Sequence, residues 1–331
     1  LCITQYTLYG MYQYPTISSP GSYRLATNVT NQITIASSNV TLNMNGCTVS
    51  GGTNGLVINS GLNNITIKNG IVSNVTTDGI QINGGTSNIT LSEITVRNTT
   101  RAVVCTNVTN ATIDHCDFIS SNTGLELNRC HNIMVENCIA QTNKYAGFSL
   151  ISSTTCSLTN CQALSTGQDN NNLVGSIYGF INNDGQGNIF DRCIANATQG
   201  LTLTSASSVV AGFALVATGT QGHTITNCEA SNSITNPNGF SETYGIYLAG
   251  ASLTTLTDAA ASATGEAYAG ISVTWSPDGT FLAQVGNFNN TYDFSVYSFS
   301  RTSTFIPLAV SLFPNDFASA VAWHPGSDII V

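Results

Sequence analysis

Charged side chains are scarce in this sequence. Asp, Glu, Lys and Arg together make up 8% of its 331 residues, against about 25% in an ordinary globular protein. Only eight residues are Lys or Arg, against seventeen Asp and Glu, which gives a formal net charge of −9. Because it has no basic cluster that could neutralise phosphates, the composition argues against nucleic acid or an anionic membrane as a partner.

Long hydrophobic runs and helical patterns are also missing. The longest apolar run, residues 209–217, is interrupted by Gly212 and is far shorter than the roughly 20 residues that span a bilayer. No segment carries a long i, i+3, i+4 stripe, so neither membrane insertion nor a helical domain is predicted. No signal peptide is visible, but the chain begins at Leu1 rather than Met, which predicts a processed or incomplete N-terminus.

The sequence is strongly repetitive. Phrases such as GLEL at 124–127 begin at residues 55, 79, 101, 124, 147, 179, 212 and 245, so successive starts are 24, 22, 23, 23, 32, 33 and 33 residues apart. A second phrase, such as ITI at 65–67, follows within the repeats. A period of this size predicts a solenoid, and the alternation of apolar and polar residues predicts strands with one buried face.

Such strands hide their apolar face by stacking on the next repeat. The sequence therefore predicts an all-β solenoid of about nine coils over residues 16–257. In this region the chain resembles the right-handed parallel β-helix proteins of the pectate-lyase-like type, a resemblance that implies the fold and says little about activity. A leucine-rich repeat has a similar period, but its Leu-x-x-Leu-x-Leu-x-x-Asn pattern is not found.

The C-terminal part has a different character. Small residues around 258–264 predict a linker, and residues 265–331 contain VTWSPDGTFLA at 273–283 and VAWHPG at 321–326. These phrases resemble WD40-type β-propeller blades and imply an antiparallel β region. A propeller needs at least four blades, and the second phrase stops at Val331. We therefore expect that the natural protein continues or that this incomplete region pairs with another subunit.

The N-terminal residues 1–15 carry four tyrosines, at positions 6, 9, 12 and 14. Tyrosine is a good contact residue because it is amphipathic and costs little entropy to order. Two interpretations remain open for this segment: a strap or capping strand on the first coil, or an exposed arm used in assembly.

Five of the ten cysteines occupy equivalent positions in successive repeats: Cys116, Cys138, Cys161, Cys193 and Cys228. Stacked coils would hold them about 4.8 Å apart, whereas the Cβ atoms of a disulfide lie about 3.8 Å apart. A buried column of free thiols is therefore favoured over disulfides. The chain has no C-x-x-C pair, so neither a zinc site nor any other metal or cofactor site is predicted.

Ten Asn-x-Ser/Thr sequons admit two interpretations. They could be glycosylated in a secreted protein, or they could follow from a repeat in which Asn occupies left-handed corners and forms side-chain ladders. The structural interpretation is favoured. The sequons lie at Asn28, Asn39, Asn64, Asn74, Asn88, Asn98, Asn107, Asn110, Asn196 and Asn289.

Three successive repeats are longer than the others by about ten residues, and the extra length falls at one corner, within 162–178, 194–211 and 229–244. Loops on a rigid scaffold often carry binding residues, so these insertions predict a protruding wall for glycan or protein contact. Alternatively, they only widen the solenoid. The predicted binding residues are Gln168, Asp169, Asn170, Asn171, Asn172, Phe240, Glu242 and Tyr244.

Candidate catalytic groups are few. Glycosidases use a pair of carboxylates, and the best local candidate is Asp114 with Glu136 one coil above it, because each lies two residues before a cysteine. They could equally be solvated turn residues, which is the favoured interpretation. His115 and His131 are predicted to be surface residues, and no Ser-His-Asp or Cys-His arrangement can be assigned.

These observations favour a non-enzymatic structural or surface protein. It would be secreted or held at a cell or particle surface, as a fibre or assembly subunit or an adhesin. Its partners would be further copies of itself, other surface proteins or glycans. The alternative is a carbohydrate-active enzyme, either a polysaccharide lyase or a glycoside hydrolase, or a carbohydrate-binding module of the pectate-lyase-like fold.

Overall fold

The computed structural model describes the backbone in twelve ranges, of which the first is a single strand and the last four form one sheet. Side chains are described for residues 15–167, 175–200, 208–216, 222–234 and 244–247. Within the described ranges no helix is long and apolar enough to cross a membrane. The backbone ranges are 5–8, 15–167, 175–200, 208–216, 222–235, 242–249, 253–257, 260–263, 270–275, 281–288, 292–299 and 305–311.

Two parallel sheets wrap the chain into a solenoid. A ten-stranded sheet forms the first face, called face 1, and its strands are hydrogen-bonded in sequence order. Each strand therefore lies one coil above the previous one. The strands are Thr16–Ile17, Ile33–Ile35, Leu56–Ile58, Asp78–Ile82, Arg101–Thr106, Thr123–Asn128, Ala146–Ile151, Ile177–Asn183, Val209–Val216 and Glu242–Ala249.

A nineteen-stranded sheet supplies the other two faces. In each coil the chain passes from face 1 to face 2, turns to face 3 and returns to face 1 one level higher. Face 2 contains Gln5–Leu8, Gly21–Leu25, Val40–Asn43, Thr109–Asp114, His131–Glu136, Ser157–Thr159, Ile189–Asp191, His223–Thr226 and Leu253–Thr257. Asn63–Ser73 and Ser87–Arg97 run through the corner between faces 2 and 3. Face 3 contains Thr48–Ser50, Asp117–Ile119, Ile139–Gln141, Gln162–Leu164, Ile194–Asn196, Gln199–Gly200, Glu229–Thr235 and Ala260–Ala263.

The interior of the solenoid is the predicted apolar core. All twelve side chains expected to point inward are at most 1% exposed: Leu56, Ile58, Ile65, Ile80, Ile82, Leu125, Leu127, Ile133, Phe148, Leu150, Phe213 and Leu215. Phenylalanine rings on face 1 stack from coil to coil, with 4.8 Å between the centroids of Phe148 and Phe180 and 4.7 Å between those of Phe180 and Phe213. The all-β, parallel architecture predicted from the sequence is therefore confirmed.

The corner between face 3 and face 1 is tightly packed where each face 1 phrase opens, which explains why that position is glycine in most coils. Ala102 occupies it in one coil. A β-carbon added to Gly179 would lie 2.8 Å from the Cβ of Ala195 and 2.7 Å from the carbonyl oxygen of Gly212. In the later coils the facing inner column of face 3 is correspondingly small and consists of Ala140, Ala163, Ala195 and Ala230. In the earlier coils the same column is Val49, Val72, Val96 and Phe118.

The predicted domain boundaries stay a prediction, and one strand near the end of the solenoid bears on them. The linker expected at 258–264 contains a strand, Ala260–Ala263, which pairs in parallel with Glu229–Thr235. The composition of Ala260–Ala263 is typical of a linker, but the pairing shows that these residues form a strand. At the other end, Gln5–Leu8 pairs in parallel with Gly21–Leu25, the arrangement expected of a capping strand.

The C-terminal strands form a separate antiparallel sheet. Its four strands, Gly270–Trp275, Phe281–Phe288, Tyr292–Phe299 and Phe305–Ser311, pair in sequence order. An antiparallel region was expected here, whereas its assignment to a WD40-like propeller stays a prediction. The second blade-like phrase, at 321–326, lies outside the described residues.

Asparagines occupy the corners in the left-handed conformation. Seven of the ten sequon asparagines have φ between 51° and 59°: Asn39, Asn64, Asn74, Asn88, Asn98, Asn107 and Asn110. Their amides form ladders, with Asn64 donating to Asn39 at 2.8 Å and Asn88 donating to Asn64 at 3.2 Å. These contacts give the sequons a structural role, and glycosylation stays a prediction.

The cysteine column is present as expected. Its five members are at most 2% exposed, and no described cysteine forms a disulfide. Each of the five thiols lies near a main-chain carbonyl, as between Cys138 Sγ and the oxygen of Glu136 at 3.1 Å. On the opposite side of the core, burial raises the pKa of Cys156 to about 12, which keeps that thiol protonated.

Replacing Gly179 by Ala should lower the free energy of unfolding by about 1–3 kcal/mol, the usual cost of overpacking. The matched control is Gly84→Ala, where the nearest atom to an added β-carbon is 3.4 Å away, and its stability should stay near that of the parent. Urea denaturation followed by circular dichroism measures both variants. Equal stability of the two would contradict the narrow-corner explanation.

The buried thiols should resist alkylation in the native protein. Mass spectrometry of peptides after iodoacetamide treatment should find Cys47, which is partly exposed, modified before Cys116, Cys138, Cys161, Cys193 and Cys228. All five should react once denaturant is added. Rapid native labelling of the column, or interchain or intrachain disulfides within it, would show that the interior is not packed as described.

Candidate functional site

The outward side chains of face 1 form two columns that run along the solenoid axis. Leu125 and Leu127 point into the core, so Glu126, which lies between them, points outward. Strand register then places one column as Gln81, Val104, Glu126, Ser149, Ile181, Ala214 and Tyr247, and the other as Asp78, Arg101, Thr123, Ala146, Tyr178, Ala211 and Tyr244. We call these two columns the face 1 strip.

A charged triad occupies the N-terminal half of the strip. The guanidinium of Arg101 binds Asp78 through two hydrogen bonds, Nε to Oδ1 at 2.8 Å and Nη2 to Oδ2 at 3.0 Å. Its Nη1 donates to Glu126 Oε1 at 3.1 Å. Hydrogen bonding to Asp78, with Arg101 as the donor, is the main cause that raises the pKa of Arg101. Asp78 is only 2% exposed, so the pairing with Arg101 offsets the desolvation cost of burying its carboxylate.

Amide side chains extend the polar surface by one further coil. Asn54 donates from Nδ2 to Gln81 Oε1 at 3.0 Å and accepts from the backbone N–H of Asp78 at 3.1 Å. The N-terminal half of the strip is thus a connected set of planar polar groups with fixed orientations.

Tyrosines occupy the C-terminal half of the strip. The rings of Tyr244 and Tyr247 are 4.9 Å apart between centroids, and the register places Tyr178 two coils from Tyr244, roughly 10 Å along the axis. Between them Ala211 and Ala214 are at most 1% exposed. Burial raises the pKa of Tyr178, so its phenol stays neutral. We call Tyr178, Tyr244 and Tyr247 the tyrosine platform.

The three insertions begin at the corner that borders this platform, and their bases are hydrogen-bonded to one another. The N–H of Gln199 donates to the oxygen of Thr166 at 2.7 Å, and the N–H of Ile234 donates to that of Thr198 at 2.9 Å. Beside them, Tyr145 packs against the buried side chains of Ile177 and Val210.

The predicted binding residues are only partly within the described structure. Tyr244 lies on the tyrosine platform, whereas Glu242 is described as part of a strand without its side chain. Gln168, Asp169, Asn170, Asn171, Asn172 and Phe240 lie outside the described residues. Sequence reasoning missed Tyr178, Tyr247 and the charged triad, because it searched the loops and not the outward strand positions. Reading off the residue before each face 1 glycine would have found most of the column that contains Asp78 and Tyr178.

Asp114 and Glu136 lie on face 2, away from the strip. They are opposite each other in register, as predicted. Asp114 Oδ1 accepts from Asn137 Nδ2 at 3.0 Å and lies 2.7 Å from His115 Nδ1. These bonds, chiefly that from Asn137, lower the pKa of Asp114, the opposite of what a general acid needs. A catalytic role for this pair stays a prediction, and the environment favours the turn-residue interpretation.

No group of three or more His, Cys, Asp or Glu within the described part of the chain could hold a metal ion.

A buried polar network lies inside the solenoid beneath the platform coils. Asn182, Asn188 and His223 are each 0% exposed. Asn188 donates to Asn182 Oδ1 at 2.8 Å, and Asn182 Nδ2 lies 2.9 Å from His223 Nε2. The backbone N–H of Asn188 points at the other ring nitrogen at 3.2 Å. A neutral imidazole can accept a hydrogen bond at one ring nitrogen, whereas an imidazolium can accept none. Burial lowers the pKa of His223.

This network predicts acid sensitivity. The folded state holds the His223 pKa below its ordinary value of 6.5, so the unfolded chain binds more protons. The contribution of neutral His223 to the free energy of unfolding should be fully present above pH 6.5. It should decrease as the pH drops from there towards the folded-state pKa. The free energy of unfolding at pH 7.5 and at pH 5 should therefore differ more in the parent than in His223→Gln. His131→Gln, at an exposed position, is the control and should keep the parental difference. Equal pH dependence in all three proteins would show that His223 is not the cause of the loss of stability at low pH.

Comparison with known proteins agrees with this architecture. Residues 31–195 match the family model described as "Right handed beta helix region", and no curated protein matches the chain. Together with the parallel strand pairing, the family match shows that the chain carries a right-handed parallel β-helix.

Solved structures resemble the chain only distantly. One is the enzymatically active domain of tailspike protein 2 of bacteriophage CBA120, with 15% identity, a TM-score of 0.45 and coverage of 64% of this chain and 40% of that chain. Another is tailspike protein gp49 of Acinetobacter baumannii bacteriophage Fri1, a capsular polysaccharide depolymerase, with 12% identity, a TM-score of 0.35 and coverage of 94% and 76%. The surface adhesin PfbA of Streptococcus pneumoniae has 11% identity, a TM-score of 0.29 and coverage of 85% and 90%.

Proposed function

We propose that this right-handed β-helix is a secreted or surface-exposed protein that binds a polysaccharide along the face 1 strip. The observation that carries the proposal is the placement of an aromatic platform and a planar polar network on one sheet. The small or hydroxyl-bearing residues Thr123, Ala146 and Ser149 lie between the two halves in register, and Ala146 and Ser149 are buried.

The chemistry of the two halves suits a sugar chain. A pyranose ring has an apolar C–H face that can pack against an aromatic ring, and its hydroxyl groups lie around the edge. Carboxylate, guanidinium and amide groups present paired donors and acceptors that match such hydroxyls with directional bonds. The tyrosine platform supplies the first kind of contact, and the triad with Gln81 and Asn54 supplies the second.

The strip is also rigid. Its residues project from hydrogen-bonded strands, and sites on strands are held more precisely than sites on loops. Arg101 is fixed by three hydrogen bonds, and tyrosine loses little side-chain freedom on binding. A chain of sugars lying along the axis would meet equivalent positions at each coil, about every 4.8 Å.

The described strip supports binding better than cleavage. Glycoside hydrolysis uses two carboxyl groups, one of them a proton donor with a raised pKa. Asp78 and Glu126 both bind the same guanidinium, and Asp78 does so through both of its oxygens. The carbohydrate-active alternative is therefore proposed here as binding, and bond cleavage is measured as a separate outcome of the experiment below.

The insertions extend the proposed surface. Their bases lie next to the platform, so the predicted binding segment at 168–172 would form a rim beside the sugar chain. A fibre or assembly role would use this same rim for a neighbouring protein, and the assay below also records such self-association.

A glycan array followed by calorimetry tests the proposal. Tyr178→Ala should raise the dissociation constant of the best ligand about tenfold or more, because a central aromatic contact is lost. Tyr178→Phe keeps the ring and should keep most of the affinity. Met134→Ala, an exposed position on face 2, is the distant control and should bind like the parent.

Two further readouts belong to that experiment. A reducing-end assay on the bound ligand separates binding from cleavage, and light scattering detects self-association. Release of sugar fragments by the parent would replace binding with catalysis as the function. Unchanged affinity in Tyr178→Ala would contradict the proposed location of the site.

A further inference from the structure

Resting on the proposed function, we infer that the bound polysaccharide is neutral, and that the triad of Asp78, Arg101 and Glu126 rejects chains that carry carboxylate or sulfate groups. The charge balance of the strip is the first reason. Arg101 is its one described cation, and two carboxylates surround it, so the triad carries a net charge of −1.

The geometry of Arg101 is the second reason. All three of its side-chain nitrogens already donate to a carboxylate, at 2.8, 3.0 and 3.1 Å. An anionic sugar could pair with the guanidinium only by displacing Glu126 or by lying beside it, and both arrangements place like charges together. Sugar hydroxyls meet no such obstacle, because they can donate to Glu126 and accept from Arg101 at once.

The remainder of the strip is the third reason. Beyond Glu126 the described outward residues are uncharged, from Thr123, Ala146 and Ser149 to the tyrosine platform. An anion held against these residues would lose water without gaining a charged partner, which is costly. Lys144 lies outside the two columns, with its Nζ 5.3 Å from the centroid of the Tyr145 ring.

The electrostatic field of the whole chain also disfavours an anionic ligand. A net charge of −9 and an isoelectric point near 4.6 repel a polyanion over distances up to a Debye length, about 8–10 Å at moderate salt. Local and long-range electrostatics therefore both favour an uncharged ligand.

The test compares two classes of chain on the intact protein at low salt. The neutral probes are dextran, laminarin and galactomannan, and the acidic probes are polygalacturonate, alginate and dextran sulfate. At least one neutral chain should bind, no acidic chain should bind, and the neutral affinity should change little when salt is added. Tyr178→Ala should lose the neutral binding.

Glu126→Gln is the decisive variant, because it removes one negative charge with almost no change in shape. Its affinity for acidic chains relative to neutral ones should rise about two- to fivefold, the effect of one partly exposed charge. Thr90→Ala on face 2 is the control and should leave that ratio unchanged. Thermal unfolding checks that each variant is folded.

The possible failures can be told apart. Binding of an acidic chain by the parent, lost in Tyr178→Ala, would overturn the neutral-ligand inference and leave the proposed site intact. An unchanged ratio in Glu126→Gln would overturn the role of the triad. No binding of any chain in either class would overturn the proposed function, and the inference with it.

Discussion

Each coil of this protein lies about 4.8 Å from the next, and this spacing decides which residue each position accepts. Equivalent side chains stack directly, so several stretches of the inner columns repeat one residue type from coil to coil. Phenylalanine does so by ring stacking, cysteine as a small free thiol, and alanine where face 3 approaches face 1. The glycines of face 1 follow from the same constraint, because Ala195 and Gly212 leave no room for a β-carbon on Gly179.

The stacking that organises the core also organises the outer surface. Outward residues of face 1 line up along the axis, so a difference between coils becomes a difference along the strip. Charged and amide groups at one end and tyrosines at the other therefore lie along one face of the solenoid. A long ligand that follows the axis suits such a surface better than a small molecule, which would contact only a few of these coils.

The core was predictable because its residues repeat in kind. Leu125, Leu127 and Phe148 alternate with polar neighbours, and Cys138 recurs one coil away from Cys116 and Cys161, so periodicity alone identified them. The strip was not predictable in this way, because Arg101, Tyr178 and Ala211 share a position without sharing a chemistry. The strand Ala260–Ala263 was missed for a related reason, since an alanine column has the composition of a linker.

The most direct test of this account is a crystal structure of the protein with the oligosaccharide that binds best on the array. We expect sugar density along face 1, parallel to the solenoid axis, with at least one ring packed against Tyr178 or Tyr247 and hydroxyls bonded to Arg101 or Glu126. Density on face 2, on face 3 or across the axis, with the strip empty, would contradict it.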